Sequence, residues 1–311
     1  MGGSSAERGI SLITGKAVLE NLDKNKYQAT AIDWDKNNKF YLIQKNKKTL
    51  FNLYDFKKFD IVFLALHGPG GEDGKIQGLL DVLGVKYTGS RVLSSALAMS
   101  KVKSAQVYKN NNLLTPNFVG FQRGEWFKNE KQILNKEIKY PCVVKASNQG
   151  SSYGIFICKT KNNITKTITE SLKYSNEIMV QEYMLGREAT CGVLEKNNKP
   201  FALPPTEIIA NAGEFYDFKS KYGKGGSTHV CPAIFPQKIL LEIKKQAIIA
   251  HQILGCRGMS RTDFFIVKNK VYINETNTIP GMTSTSLLPE AASKAGISFT
   301  SMLDLVIKSS V

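Results

Sequence analysis

Residues 261–281, reading R-T-D-F-F-I-V-K-N-K-V-Y-I-N-E-T-N-T-I-P-G, leave the chain little freedom. Two apolar runs, 264–267 and 271–273, flank the polar tip Lys268-Asn269-Lys270, the pattern of a β-hairpin. Asp263 opens the first strand. Glu275 and Asn277 close the second, one residue apart and therefore on one face. Pairing across the turn can bring the three together. Two carboxylates and an amide oxygen, without Cys or His, form a hard oxygen site suited to Mg²⁺ or Mn²⁺. Magnesium takes few protein ligands and completes its shell with water and phosphate, so such a site expects a nucleotide. The same residues also suit a solvated hairpin with ordinary acidic ends, and the rest of the chain has to decide.

Composition narrows the classes. A chain of 311 residues is long enough for two or three domains with their own cores. No run of about 18 apolar residues occurs and no signal-peptide pattern, so neither membrane insertion nor secretion is expected. Five cysteines (142, 158, 191, 231, 256), odd in number and without C-x-x-C, read as a reduced, cytoplasmic inventory. The net charge of +16 invites a nucleic-acid partner. Six arginines against 36 lysines argue the other way, because base reading favours the guanidinium fork. The lysines lie scattered among asparagines, as in Lys36-Asn37-Asn38-Lys39, and read as surface composition with no nucleic-acid partner. Their field still favours an anionic substrate such as ATP.

The order of elements is that of an α/β chain. A glycine loop at Gly2-Gly3 leads into a helix over about 11–21, then strands over 27–33 and 41–44. The near-continuous apolar run 60–66 reads as a buried parallel strand ending at the loop His67-Gly68-Pro69-Gly70-Gly71-Glu72-Asp73-Gly74. A helix to about Leu83 follows, then a short strand at 86–88 and one long helix over 92–110. A strand–loop–helix order places ligands at strand C-terminal ends. A smaller unit carries strands at 117–121, 142–145, 155–159 and 178–183, with helices near 129–136 and 165–174. The last third has a strand at 189–194, a glycine-rich stretch 211–231 too long for an ordinary connection, a helix over 238–254 and the hairpin. The expected units are 1–98, 99–185 and 186–311.

Two further stretches carry chemistry. Lys145 ends an apolar strand just before Ser147-Asn148-Gln149-Gly150-Ser151-Ser152-Tyr153-Gly154, whose backbone N–H groups can wrap phosphate while the ammonium neutralises it. It is not a Walker loop, since G-x-x-x-x-G-K-[ST] is absent. Gln181, Glu182, Tyr183 and Met184, at a strand end, can hold a purine, and Glu188 can accept from ribose hydroxyls.

The H-G-P-G-G-E-D-G loop with Gln77, the loop around Ser151, F-Y-D-F-K-S-K-Y at 215–222 and R-x-D…N-E-x-N-T-x-P-G-M-T-S-x-S-L together resemble the D-alanine–D-alanine ligases, ATP-grasp enzymes. The resemblance runs from Gly2 to the C-terminal helix. It implies an ATP-grasp fold, α+β in its C-terminal part, preceded by a Rossmann-like N-terminal domain. It implies that Lys101 and Lys145 contact ATP phosphates and that Gln181, Glu182, Tyr183, Met184 and Glu188 line the adenosine pocket. Asp263 and Glu275 would bind one Mg²⁺ (or Mn²⁺), and Glu275 and Asn277 a second. Glu7 would receive the ammonium of the first D-alanine, with His67 near its carboxylate, and Ser151 and Tyr222 would join Glu7 in a relay. Lys221 would close over the γ-phosphate. Arg261 and the Gly281 N–H would form an oxyanion hole; Ser286 and the Leu287 N–H would hold the second D-alanine's carboxylate. Tyr222 favours a dipeptide over D-alanyl-D-lactate, and the resemblance allows a homodimer.

The chain departs from the family pattern in places. Ala146 stands where proline is usual and Gln181 where glutamate is common. Thr262 and Thr276 occupy usually aliphatic positions, so the buried face of the hairpin holds two hydroxyls that need partners. The family's apolar strand before Gly2-Gly3 has no counterpart, which predicts a misassigned or truncated start, an unanchored Glu7, and lower stability and activity for the 311-residue form.

Overall fold

The computed structural model describes all residues except 46, 127, 129–137, 211–226, 284 and 311. Helix α1 (Arg8–Asn21) starts a turn earlier than expected and buries Ser11, Thr14, Gly15 and Val18. That face is hydroxylic because it covers a loop rather than a sheet. Ser11 Oγ donates to the Ala65 carbonyl at 2.6 Å and accepts from the Gly2 N–H at 2.8 Å.

Strands β1 (Ala31–Trp34), β2 (Phe40–Gln44) and β3 (Lys47–Leu50) form an antiparallel sheet. The run 60–66 differs from its expectation. It makes only isolated parallel bridges, Val62 with Tyr87 and Leu66 with Gly2, while Gly2 also bridges Trp34. Single-residue partners on each flank are too few to sustain a ladder, so neither 60–66 nor 86–88 is a regular strand. Helix α2 (Lys75–Val82) follows the glycine loop as expected. The long helix expected over 92–110 is two, α3 (Val92–Met99) and α4 (Lys101–Asn110). Ser100 breaks it with extended backbone, and its hydroxyl accepts the Lys103 N–H as an N-cap.

The central unit has strands β4 (Phe118–Gln122), β5 (Cys142–Ala146), β6 (Ile155–Cys158) and β7 (Glu177–Glu182), ordered β4-β7-β5-β6 and antiparallel throughout. Helix α5 (Ile164–Ser171) packs on it, and Phe121, Trp126, Val144, Ile168 and Ile178 form a core of its own. The helix expected near 129–136 lies outside the described residues.

The last third holds β8 (Arg187–Lys196), β9 (Lys199–Ala202), β10 (Thr206–Ala210), β11 (Ser227–Val230), β12 (Met259–Val267) and β13 (Lys270–Asn277). Their order is β11-β10-β8-β12-β13, with β9 on β8. Helix α6 (Gln237–Ile253) buries Ile239, Ile243, Ala247 and Ala250 at helical spacing. Helices α7 (Leu287–Lys294) and α8 (Phe299–Lys308) complete the chain. One apolar cluster joins Val18, Leu66 and Leu80 to Met259, Leu288 and Val306, so the first and last thirds share a core. Tyr27 Oη donates to Asp304 at 2.6 Å and Thr300 Oγ1 to the Asn21 carbonyl at 2.8 Å across the same seam. No helix among the described residues is long and apolar enough to cross a membrane.

Candidate active site

The hairpin forms as expected, with one addition that decides its chemistry. Asp263 pairs with Glu275 and Phe264 with Ile273, so Asn274 is an extra residue, a β-bulge. Strict alternation would put Val271, Ile273, Glu275 and Asn277 on one face. The bulge resets the parity: Val271 and Ile273 stay buried, while Glu275 and Asn277 turn to the side that carries Arg261 and Asp263. Asn277 Nδ2 lies 3.3 Å from Asp263 Oδ2, and Arg261 forks Asp263 with two bonds of 2.9 Å. Thr190 on β8 donates to the other side of that carboxylate at 2.6 Å.

The bulge residue also reaches the central unit. Asn274 Oδ1 accepts from Lys145 Nζ at 2.9 Å, and Lys145 is buried at the end of β5. Lys101, at the start of α4, lies 3.2 Å from Glu275 Oε2 and donates to the Gln149 carbonyl at 2.7 Å. Two lysines therefore converge on the hairpin beside the glycine-serine loop. Among the described residues no group of three or more His, Cys, Asp and Glu side chains is arranged to hold a metal ion. A metal here would rest on two carboxylates and an amide, an all-oxygen set that fits Mg²⁺ or Mn²⁺ and not zinc.

A second cluster faces the first. Ser151 Oγ donates to Glu7 Oε2 at 2.6 Å, and a methyl on Gly150 would overlap the other Glu7 oxygen. Glu7 is thus buried and anchored, contrary to the expectation that it lacks support. Ser5 Oγ holds the His67 carbonyl at 2.7 Å, and His67 Nε2 lies 2.8 Å from Thr14 Oγ1. Burial lowers the His67 pKa to about 4, opposed by a hydrogen bond to the Ile279 backbone and helped by the Arg261 charge, so the ring is neutral near pH 7. Glu72, quoted in the loop motif but given no role, accepts the Gly68 N–H at 2.6 Å. Desolvation, then the neighbouring Glu7 charge, raises its pKa to about 8. Gln77 donates to the Gly71 carbonyl at 2.7 Å and braces the same loop.

Gly281 leads from the hairpin towards α7, where Thr283 N–H donates to Ser286 Oγ at 3.0 Å. Ser286 is the N-cap of α7 and Leu287 its first residue, a helix terminus whose free N–H groups suit a carboxylate. Gln181 is buried on β7, Glu182 ends that strand, and Tyr183 and Met184 follow it. Glu188 is half-buried on β8, paired in register with Phe265. Lys221 and Tyr222 lie outside the described residues. Sequence reasoning missed Asn274, Thr190 and Glu72. Asn274 alone had a signal, the parity conflict between Ile273 and Glu275.

Residues 107–308 match the family described as D-ala D-ala ligase C-terminus, and residues 1–54 and 44–90 its N-terminal counterpart. A D-alanine–D-alanine ligase of Desulforamulus reducens is 42% identical over 99% of this chain and 96% of its own. That of Moorella thermoacetica is 39% identical with the same coverage. Among solved structures, the VanG D-Ala:D-Ser ligase of Enterococcus faecalis superposes with a TM-score of 0.90 at 29% identity, covering 100% of this chain and 98% of that one. The ligase of Coxiella burnetii gives 0.85 at 29% identity, covering 99% and 91%.

Proposed function

The chain belongs to the D-alanine–D-alanine ligase family, and from that membership we propose how its residues make a peptide bond. The reaction joins two D-alanines into D-alanyl-D-alanine for peptidoglycan precursors, with ATP converted to ADP and phosphate, on an ATP-grasp fold. The observation that carries the residue assignment is the bulged hairpin, which turns Asp263, Glu275 and Asn277 towards Lys101 and Lys145.

A carboxylate is a poor electrophile, so the first D-alanine is activated as an acyl phosphate before the second amine attacks. Lys101 and Lys145 spread the charge of the transferring phosphoryl group, and Lys221 closes over it. Mg²⁺ or Mn²⁺, two per site and held by Asp263, Glu275 and Asn277, would supply further charge neutralisation there. Gln181, Glu182, Tyr183, Met184 and Glu188 line the adenosine pocket. Glu7 takes the ammonium of the first D-alanine, with Ser151 and Tyr222 in its relay and His67 near the carboxylate. The two-point fork from Asp263 fixes the plane of Arg261, which with the Gly281 N–H faces the tetrahedral oxyanion. Ser286 and the Leu287 N–H receive the second D-alanine's carboxylate at the start of α7. The proposal includes the units 1–98, 99–185 and 186–311, a cytoplasmic location and a homodimer, the last tested by sedimentation.

The test is D-alanine-dependent phosphate release, repeated with D-serine and D-lactate as the second substrate. The likeness to a D-Ala:D-Ser ligase makes D-serine the alternative to measure. Arg261→Ala and Glu275→Gln should each lower kcat by at least about a hundredfold, as loss of transition-state charge stabilisation does. Full turnover in either variant, or no D-alanine dependence in the parent, refutes the assignment. Chelation should stop turnover, and Mg²⁺ or Mn²⁺ should restore it.

A further inference from the structure

The two threonines that break the aliphatic pattern of the hairpin are bonded to each other. Thr262 and Thr276 are register partners on β12 and β13, both buried, with their hydroxyl oxygens 3.0 Å apart. Tyr108 on α4, also fully buried, donates its hydroxyl to Thr276 Oγ1 at 2.8 Å. Thr276 accepts from the phenol, and either threonine hydroxyl can donate to the other. This three-hydroxyl chain lies on the core side of the sheet, directly behind the site. Thr276 separates Glu275 from Asn277, and Thr262 separates Arg261 from Asp263.

The same helix also touches the site side. Lys101, seven residues before Tyr108, pairs with Glu275 at 3.2 Å. Helix α4 therefore grips β13 at two points, by an ammonium in front and a phenol behind. An aliphatic pair would fill the same volume. It would not fix the rotation of the strand about its axis, because apolar contacts are non-directional whereas hydrogen bonds are not.

We propose that Tyr108, Thr276 and Thr262 are positioning residues that set the aim of Glu275 and Asn277, and thereby the affinity of the hairpin for a divalent cation. This rests on the reading of those side chains as metal ligands. Groups behind metal ligands are worth about 10- to 100-fold in affinity when removed. The hydroxyls act through strand geometry rather than by touching a ligand, so the lower end applies.

The test is Mn²⁺ titration by electron paramagnetic resonance, with ADP present and D-alanine absent, so that no turnover is needed. Thr276→Val leaves two buried hydroxyls without their partner and should raise the Mn²⁺ Kd about tenfold. Thr276→Ser keeps the hydroxyl and should stay within about twofold of the parent. The triple variant Tyr108→Phe/Thr262→Val/Thr276→Val removes the three hydroxyls together, and Ser104, which also bonds Tyr108, keeps the Lys101 carbonyl, so its metal-free melting temperature should stay close to the parent's. Its Kd should nevertheless rise like that of Thr276→Val. A parent that binds Mn²⁺ while Thr276→Val and the triple variant keep its Kd overturns the inference and leaves the metal reading standing. A parent that binds no Mn²⁺ overturns both.

Discussion

Deleting Asn274 tests whether it is the extra residue of the strand. Without it the order is Val271-Tyr272-Ile273-Glu275-Thr276-Asn277, and plain alternation puts Val271, Ile273 and Thr276 on the core face and Glu275 and Asn277 on the other. The ladder then runs from the Phe264–Ile273 pair straight to the Asp263–Glu275 pair, and what is lost is the acceptor for Lys145. A hydrogen bond to a charged group is worth at most about 1.5–3 kcal/mol, a ten- to hundredfold loss in kcat/KM. Were Asn274 an ordinary ladder residue, its removal would instead turn one half of the strand over. Glu275 would enter the core, where a charge left unpaired costs several kcal/mol, or Val271 and Ile273 would leave it, at about 1.5–3 kcal/mol each. Either route loses roughly 3–6 kcal/mol, a large part of the about 5–15 kcal/mol typical of a folded domain. The control is Asn274→Gly, which keeps the extra residue and loses only the acceptor. Urea unfolding and phosphate release measure both variants. Both should keep a urea midpoint near the parent's and lower turnover to a similar extent. A deletion variant whose midpoint falls while that of the glycine variant holds would refute the parity argument.

Ser151→Ala removes the 2.6 Å bond to the Glu7 carboxylate and should lower kcat/KM for D-alanine by about tenfold or more, with KM for ATP within about twofold. Gly150→Ala drives a methyl into the other Glu7 oxygen and should lower the same constant without a matching fall in melting temperature. His67 and Glu72 tilt stability in opposite directions with pH. The lowered His67 pKa means that its neutral form stabilises the fold above about 6.5, a contribution lost as pH falls towards about 4. The raised Glu72 pKa gives a contribution present below about 4.5 and lost as pH rises through about 8. Melting curves of His67→Gln should therefore flatten the acid limb, and those of Glu72→Gln the slope between pH 4.5 and 8; unchanged slopes in both count against the assigned protonation states.

The hairpin, the glycine loop and the lysines were legible because each carries a local pattern that tertiary structure had no reason to overrule. The parity conflict at Asn274 was also written in the sequence, as apolar residues at 271 and 273 and polar ones at 275 and 277. It is readable only when both halves of the strand are held to one alternation. The break at Ser100 could be read as a cap, but Val92 to Asn110 has no proline or glycine to force it. What selects the break is tertiary: Ser100 Oγ also donates to Glu177 at 2.7 Å, a contact 77 positions away. The run 60–66 failed for the converse reason, since an apolar stretch becomes a strand only when neighbours supply a ladder. Tyr108 as the partner of Thr276, at a separation of 168, left no trace in either local pattern.

Helix α4 couples the two halves of the site. Val102 and Ala105 pack on Met179 of the central sheet, while Tyr108 and Leu113 sit in the core of the last third. The first and last thirds are fused by their common core, so Glu7, His67 and Ser286 belong to one body. Ser151 and Lys145 belong to the other. Any swing of the central sheet about α4 parts Ser151 from Glu7 and Lys145 from Asn274 in one movement. Nucleotide grip and amino-acid grip are then made and broken together. If ATP spans both bodies as proposed, its binding favours the arrangement in which Ser151 meets Glu7, and KM for D-alanine should fall as ATP approaches saturation.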